Sequence, residues 1–125
     1  MIKIEEVINI HDILIDRFGG SHGIRDLNAL ESAITRPFMT FDQKELYPSQ
    51  TEKAAALIVS LIANHPFLDG NKRIGYVIMR YFLLRHGFDI SASQSEKFEF
   101  VINIAQGQLH FEQINNWISD KLRKL

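Results

Sequence analysis

A chain of 125 residues with 46% apolar content can enclose one hydrophobic core, so it is read as a single domain spanning residues 1–125. A net charge of −1 excludes a global pull toward nucleic acid or an anionic membrane, and no direct nucleic-acid partner is expected. The absence of cysteine excludes a disulfide framework and a thiolate metal site, and it fits a reducing compartment.

The N-terminal MIKIEEV carries two glutamates where a signal peptide needs an apolar core. No apolar run approaches the roughly twenty residues of a membrane span. A soluble, cytoplasmic protein is therefore expected. Residues 4–18 place Val7, Ile8, His11, Leu14, Ile15 and Phe18 on one helical face, with Glu5 and Glu6 in the first turn where the helix dipole favours them. Gly19-Gly20 stops that helix. His11, beside the apolar face, is read as a hydrogen-bonded structural histidine in preference to a catalytic one.

The segment SHGIRD is a loop, and its Asp26 is a good N-cap for a second helix, LNALESAITR, which ends before Pro37. Leu27, Leu30, Ala33 and Ile34 form its apolar stripe. Residues 38–48 carry three aromatics and no helical stripe. They read as an extended segment or small hairpin flap, or simply as a packed connection.

Ser49-Gln-Thr-Glu52 forms a capping box for a helix that is apolar almost all round after Lys53, the expected buried central helix. It delivers His65 at its C-terminal end. Pro66 blocks its continuation, and Asp69-Gly70 is a turn dipeptide. The next helix runs from about Asn71 to His86 and ends at Gly87, with Ile74, Val77, Ile78, Tyr81, Phe82 and Leu84 as core material. FDIS is a short extended link. Ser93-Gln-Ser-Glu96 is a second capping box, opening a helix that Gly107 closes. A final helix over about residues 111–124 turns Phe111, Ile114, Trp117, Ile118 and Leu122 inward. About six helices and one small hairpin make an all-α domain.

The chemistry concentrates in His65-Pro-Phe-Leu-Asp69-Gly-Asn-Lys-Arg73. Nine residues hold an imidazole, a carboxylate, a glycine turn, an amide and two cations, where a loop empties into a helix N-terminus. Backbone N–H groups there are unpaired and the dipole is positive, so an anion is favoured. Lys72 and Arg73 in the first turn oppose the dipole unless an anion sits with them. His65 can act as a general base toward a hydroxyl. Asp69 suits Mg²⁺ bridging to phosphate oxygens. Gly70 allows a tight turn and a close ligand, and Asn71 can hold the loop or cap the helix. Arg73 offers a planar fork for phosphate and Lys72 a mobile point charge. Together these describe phosphoryl or nucleotidyl transfer. The competing reading is an ordinary interhelical loop with a solvated DGNKR turn. A zinc site lacks a second strong ligand, and no GxxxxGK[ST] phosphate loop is present.

This stretch resembles the Fic/Doc family pattern His-Pro-Phe-x-Asp-Gly-Asn-x-Arg, matched by His65, Pro66, Phe67, Asp69, Gly70, Asn71 and Arg73. Gly19-Gly20, Gly23-Ile-Arg-Asp26, Leu30-Glu-Ser-Ala33 and Leu46-Tyr-Pro48 extend the likeness toward the Doc (death-on-curing) branch of bacterial toxins. The resemblance implies a compact helical fold with the motif between two central helices and a β-hairpin flap beside it. It implies ATP as substrate with Mg²⁺ on Asp69. It further implies His65 as base, with Gly70, Asn71, Lys72 and Arg73 around the phosphates.

Two positions depart from the AMP-transferring pattern. Lys72 stands where a glycine is usual, and Tyr76 where a second arginine is usual. The Asn-Lys-Arg form resembles Doc, which implies transfer of the γ-phosphoryl to a threonine of elongation factor Tu and arrest of translation. Val77 departs from Doc's own pattern, which has asparagine there. No [ST]xxxE[GN] inhibitory helix is present, so a separate Phd-like antitoxin is the implied restraint. AMP transfer to a protein hydroxyl and a catalytically silent binding module are the alternatives.

Overall fold

The computed structural model describes residues 1–125 as a mainly helical, all-α-class body with two small two-stranded sheets. Its helices are α1 (Ile4–Phe18), α2 (Leu27–Thr35), α3 (Gln50–Asn64), α4 (Asn71–Arg85), α5 (Gln94–Ala105) and α6 (Phe111–Lys121). A short 3₁₀ turn, Arg36–Phe38, follows α2. The strands are β1 (Thr40–Phe41), β2 (Lys44–Glu45), β3 (Phe88–Ile90) and β4 (Leu122–Lys124). No helix is long and apolar enough to cross a membrane.

Helix α3 is the axis of the core. Lys53 to Ile58, Leu61 and Ile62 are buried, and α4 packs along α3 more extensively than any other element. The capping boxes at Ser49–Glu52 and Ser93–Glu96 form as the sequence predicts, and Asp26 caps α2 by accepting from the Ala29 N–H. Ile74, Ile78, Phe82 and Leu83 bring α4 into the core.

Residues 38–48 contain the hairpin, with Thr40 opposite Glu45 and Phe41 opposite Lys44. Its turn residues, Asp42 and Gln43, both have positive φ. The buried Lys53 ammonium ties the hairpin to the start of α3, donating to Glu45 Oε1 at 2.9 Å and to the Tyr47 carbonyl. The flap is thus anchored at the opposite end of α3 from His65.

Three expectations need correction. Helix α6 stops at Lys121, and Leu122–Lys124 instead pair antiparallel with Phe88–Ile90. The physical reason is the unpaired edge of β3, whose ladder the last residues complete while Asp89 receives their charge. Asp89 is buried and takes Arg80 in a two-pronged pair at 2.7 and 3.0 Å, with Arg123 at 3.7 Å. The Arg80 fork holds its carboxyl down at about 2. Leu27 and Leu84 are exposed, not core, because each lies at the edge of its helix's stripe, and Leu83 is the residue turned inward on α4. Phe18 is 60% exposed and serves a different purpose, described below.

Candidate active site

Helix α3 ends because Pro66 disfavours the helical conformation in the residue before it. His65 adopts the left-handed conformation, φ 52° and ψ 53°, at a cost of about 1–2 kcal/mol for a residue with a Cβ. That twist turns the chain, sends Phe67 into the core and leaves the His65 imidazole exposed.

The loop is then fixed from three sides. From below, the buried His11 ring stacks on Phe67 with centroids 3.8 Å apart and planes 7° from parallel. The same ring donates Nε2–H to the Asp69 carbonyl at 2.8 Å. His11 is therefore structural, and what it structures is the motif loop. From within, Asn71 closes on Phe67, its Oδ1 accepting from the Phe67 N–H at 3.0 Å and its Nδ2 donating to the Phe67 carbonyl at 2.9 Å. The Asn71 amide holds the loop, the first of the two roles the sequence offered, and only its backbone N–H remains for a ligand.

The third support is the segment between α1 and α2, residues 19–26, a strap running antiparallel to the motif. Leu68 N–H donates to the Gly23 carbonyl at 3.1 Å, Ile24 forms a bridge with Phe67, and Asp26 N–H donates to the Pro66 carbonyl at 3.1 Å. Ser21 N–H donates to Asp69 Oδ2 at 3.1 Å, while Oδ1 accepts from Gly70 N–H at 2.8 Å. Gly20, at φ +114°, lies so close that a Cβ there would stand 2.7 Å from Asp69 Oδ2. Glycine is required at that position because the carboxylate occupies the space of a side chain. Gly70 has φ +75°, and a Cβ on it would meet Ile15 and His11 in the interior. Its smallness thus serves packing and the turn as well as ligand approach.

His22 clamps the strap to α1. Its Nδ1 lies 3.0 Å from Asp12 Oδ1 and its Nε2 2.7 Å from Asp16 Oδ1. Two acceptor carboxylates require both ring nitrogens to donate, which is the imidazolium. The hydrogen bond to Asp12 first, then that to Asp16, raises the His22 pKa. The raised folded value gives the clamp its full strength below the ordinary histidine range, and that strength is lost as pH climbs through the raised value. An NMR titration of His22 should therefore show an elevated midpoint that falls in Asp12→Asn. Exchange of the Ser21 amide, corrected for its intrinsic rate, should quicken above that midpoint. An unchanged midpoint in Asp12→Asn refutes the clamp.

All six residues singled out from the sequence converge on one cavity of about 720 Å³: His65, Asp69, Gly70, Asn71, Lys72 and Arg73 line it. At the start of α4 the first intrahelical bond is Ile74 N–H to the Gly70 carbonyl at 2.9 Å, and Gly70 has no side chain to cap the helix. The N–H groups and the dipole are thus presented to the cavity. Lys72 and Arg73 are exposed and pair with no carboxylate. Arg73 lies over the Phe18 ring at 5.0 Å, which explains why that apolar residue stays at the surface.

The opposite wall is a face of α5 that the sequence reading assigned no function: Gln94, Lys97, Phe98, Val101, Ile102 and Ala105. Their spacing marks one helical face, and Phe98, 70% exposed, was the available signal. The site thus combines three cations, one carboxylate and an apolar wall. It suits an anion of several charges carrying a flat apolar body. No cluster of three or more metal-ligating side chains is present. Asp69 alone fits Mg²⁺ that arrives with phosphates and keeps several waters, rather than a resident ion in a protein cage. No flap residue lines the cavity.

These features define a compact helical domain with a cation-lined cavity where a strapped loop enters an uncapped central helix. The chain belongs to the Fic/DOC family, whose sequence pattern matches residues 1–83. It is similar to Toxin Doc of Mycolicibacterium smegmatis, with 40% identity over 75 residues, covering 60% of this chain and 58% of that protein. It is also similar to Protein kinase doc of Escherichia phage P1, with 30% identity over 124 residues, covering 99% of this chain and 94% of that one. The first match thus spans under two thirds of its relative, the second nearly all.

Proposed function

We propose that this protein is a Doc-like toxin kinase that moves the γ-phosphoryl group of ATP to a Ser or Thr hydroxyl of a protein. The observation that carries the reading is the convergence of His65, Asp69 and the unpaired Lys72 and Arg73 on one cavity at the open start of α4. His65 accepts the hydroxyl proton as the oxygen–phosphorus bond forms, and ADP leaves as the bond to the γ-phosphorus breaks. The Arg73 fork, the Lys72 ammonium and the backbone N–H groups of α4 hold the phosphates. Mg²⁺, when bound with the nucleotide, would lie at Asp69 and neutralise phosphate charge. Phe98 and its neighbours on α5 offer an apolar surface to the nucleoside.

Phosphoryl transfer is favoured over AMP transfer by two side chains. Lys72 occupies the cradle where the AMP-transferring pattern has glycine. Tyr76 is a neutral phenol where the AMP-transferring pattern has a cation; burial pushes its pKa up to about 12, and its hydroxyl is enclosed without a partner. A silent binding module is disfavoured because His65, Asp69, Lys72 and Arg73 are all exposed on the same cavity. The name of the mycobacterial relative, Toxin Doc, supports the toxin reading, and a separate Phd-like antitoxin is the restraint the resemblance implies. Elongation factor Tu is the target the resemblance implies.

The test is label position. With γ-labelled ATP and bacterial lysate, a protein should become labelled, and α-labelled ATP should give none. Label from α-labelled ATP instead would establish nucleotidyl transfer, and mass spectrometry of the product would identify the adduct and residue.

A further inference from the structure

We infer that Arg25, on the strap, is a positioning residue that aims His65 by gripping three consecutive carbonyls of the turn that carries it. Arg25 Nη2 donates to the Asn64 carbonyl at 2.8 Å, Nε to the His65 carbonyl at 2.6 Å, and the backbone N–H to the Pro66 carbonyl at 2.8 Å. The last carbonyls of an α-helix have no intrahelical partner, and the dipole is negative there. A guanidinium answers both needs, and its rigid fork spans two adjacent carbonyls as a lysine cannot. The side chain is exposed and pairs with no carboxylate, so the turn is its principal engagement.

The turn needs this grip for a reason visible in its backbone. His65 is in the left-handed region, and Pro66 supplies no N–H with which the turn could close on itself. A conformation that costs energy persists only where its surroundings fix it. The Asn64 side chain adds one tie by donating to the Ala29 carbonyl at 3.1 Å, but nothing besides Arg25 bonds the His65 carbonyl. Asp26, next in sequence, caps α2, so the strap that presents Arg25 is fixed to a helix on one side. Without the fork, the turn can relax toward commoner dihedrals and carry the imidazole out of line. The phosphate cradle, built from α4, is untouched.

The inference rests on His65 acting as the base, and the experiment separates the two ideas. Full-length Arg25→Met and Arg25→Lys are compared with wild type for ATP binding, for initial labelling rate at saturating γ-labelled ATP in lysate, and for the imidazole NMR signals of His65. In Arg25→Met the labelling rate should fall at least tenfold, with ATP affinity changed less than twofold and the His65 signals shifted or broadened. Arg25→Lys, able to reach one carbonyl, should recover part of the rate. A wild-type rate in Arg25→Met, or a loss of ATP affinity equal to the loss of rate, overturns the inference. If wild-type protein transfers no label, the kinase reading falls. The NMR arm still judges Arg25, because unshifted His65 signals in a folded Arg25→Met refute the grip by themselves.

Discussion

His65→Ala is expected to lower phosphoryl transfer by about 10²–10⁴-fold, the usual worth of a positioned general base, while leaving ATP affinity nearly intact. His65 is exposed at the end of α3, so melting temperature should hold. Arg73→Ala should behave differently. Its guanidinium sits at the start of α4 with no carboxylate and lies over the exposed Phe18 ring. Removing that contact costs at most about 1 kcal/mol of stability. If Arg73 holds phosphate as proposed, its removal should cost about 10²–10³-fold in transfer and should also weaken ATP binding. The pair thus separates base from cradle by the split between rate and affinity. Initial labelling rates and calorimetric ATP binding on both variants provide the check. If His65→Ala transfers as fast as wild type, the base assignment is wrong. If Arg73→Ala unfolds the protein while per-molecule activity persists, the arginine belongs to the core.

Most helices were legible because their signals are local. Capping boxes at Ser49 and Ser93, the Asp26 cap, and Pro66 at the end of α3 each act within a few residues, and each appears as expected. The motif was legible for a different reason: many distinct functional groups crowd into nine residues, and the family pattern weighs them together. What stayed hidden depends on partners distant in sequence. Strand β4 forms because β3 leaves an edge some thirty residues earlier, and the basic pattern of Lys121 to Lys124 reads equally well as a helix C-terminus. The strap reads as a plain loop, since the hydrogen bonds between residues 21–26 and 64–69 leave no local trace. Asn71 shows the limit within the motif itself. Its residue type allowed either loop-holding or capping, and only the geometry of Phe67 decides that the amide is consumed internally. The α5 wall was missed because an apolar stripe facing a cavity has the same spacing as one facing a core.

Phe67→Ala is the substitution expected to cost most in stability among the motif residues. The ring is 1% exposed and is the stacking partner of His11, so its removal leaves a void under the loop. A loss of about 3–5 kcal/mol follows from the deletion of a buried phenyl group, a large share of the roughly 5–15 kcal/mol that holds a domain together. Leu57→Ala, in the fully buried middle of α3, should cost about 2–5 kcal/mol. The two losses are similar in size but differ in what they reach. Leu57 lies in a helix whose dihedrals its own hydrogen bonds maintain. Phe67 anchors a loop whose backbone depends on His11 beneath, Asn71 within and the strap alongside, and the stacked His11 ring also orients the Asp69 carbonyl. At a temperature where both variants remain folded, Leu57→Ala should therefore keep nearly wild-type transfer per folded molecule, whereas Phe67→Ala should fall by at least tenfold. Denaturant titration gives the folded fractions, and labelling rates divided by those fractions give the comparison. Equal corrected rates would mean that Asn71 and the strap suffice to shape the loop, leaving Phe67 with stability alone.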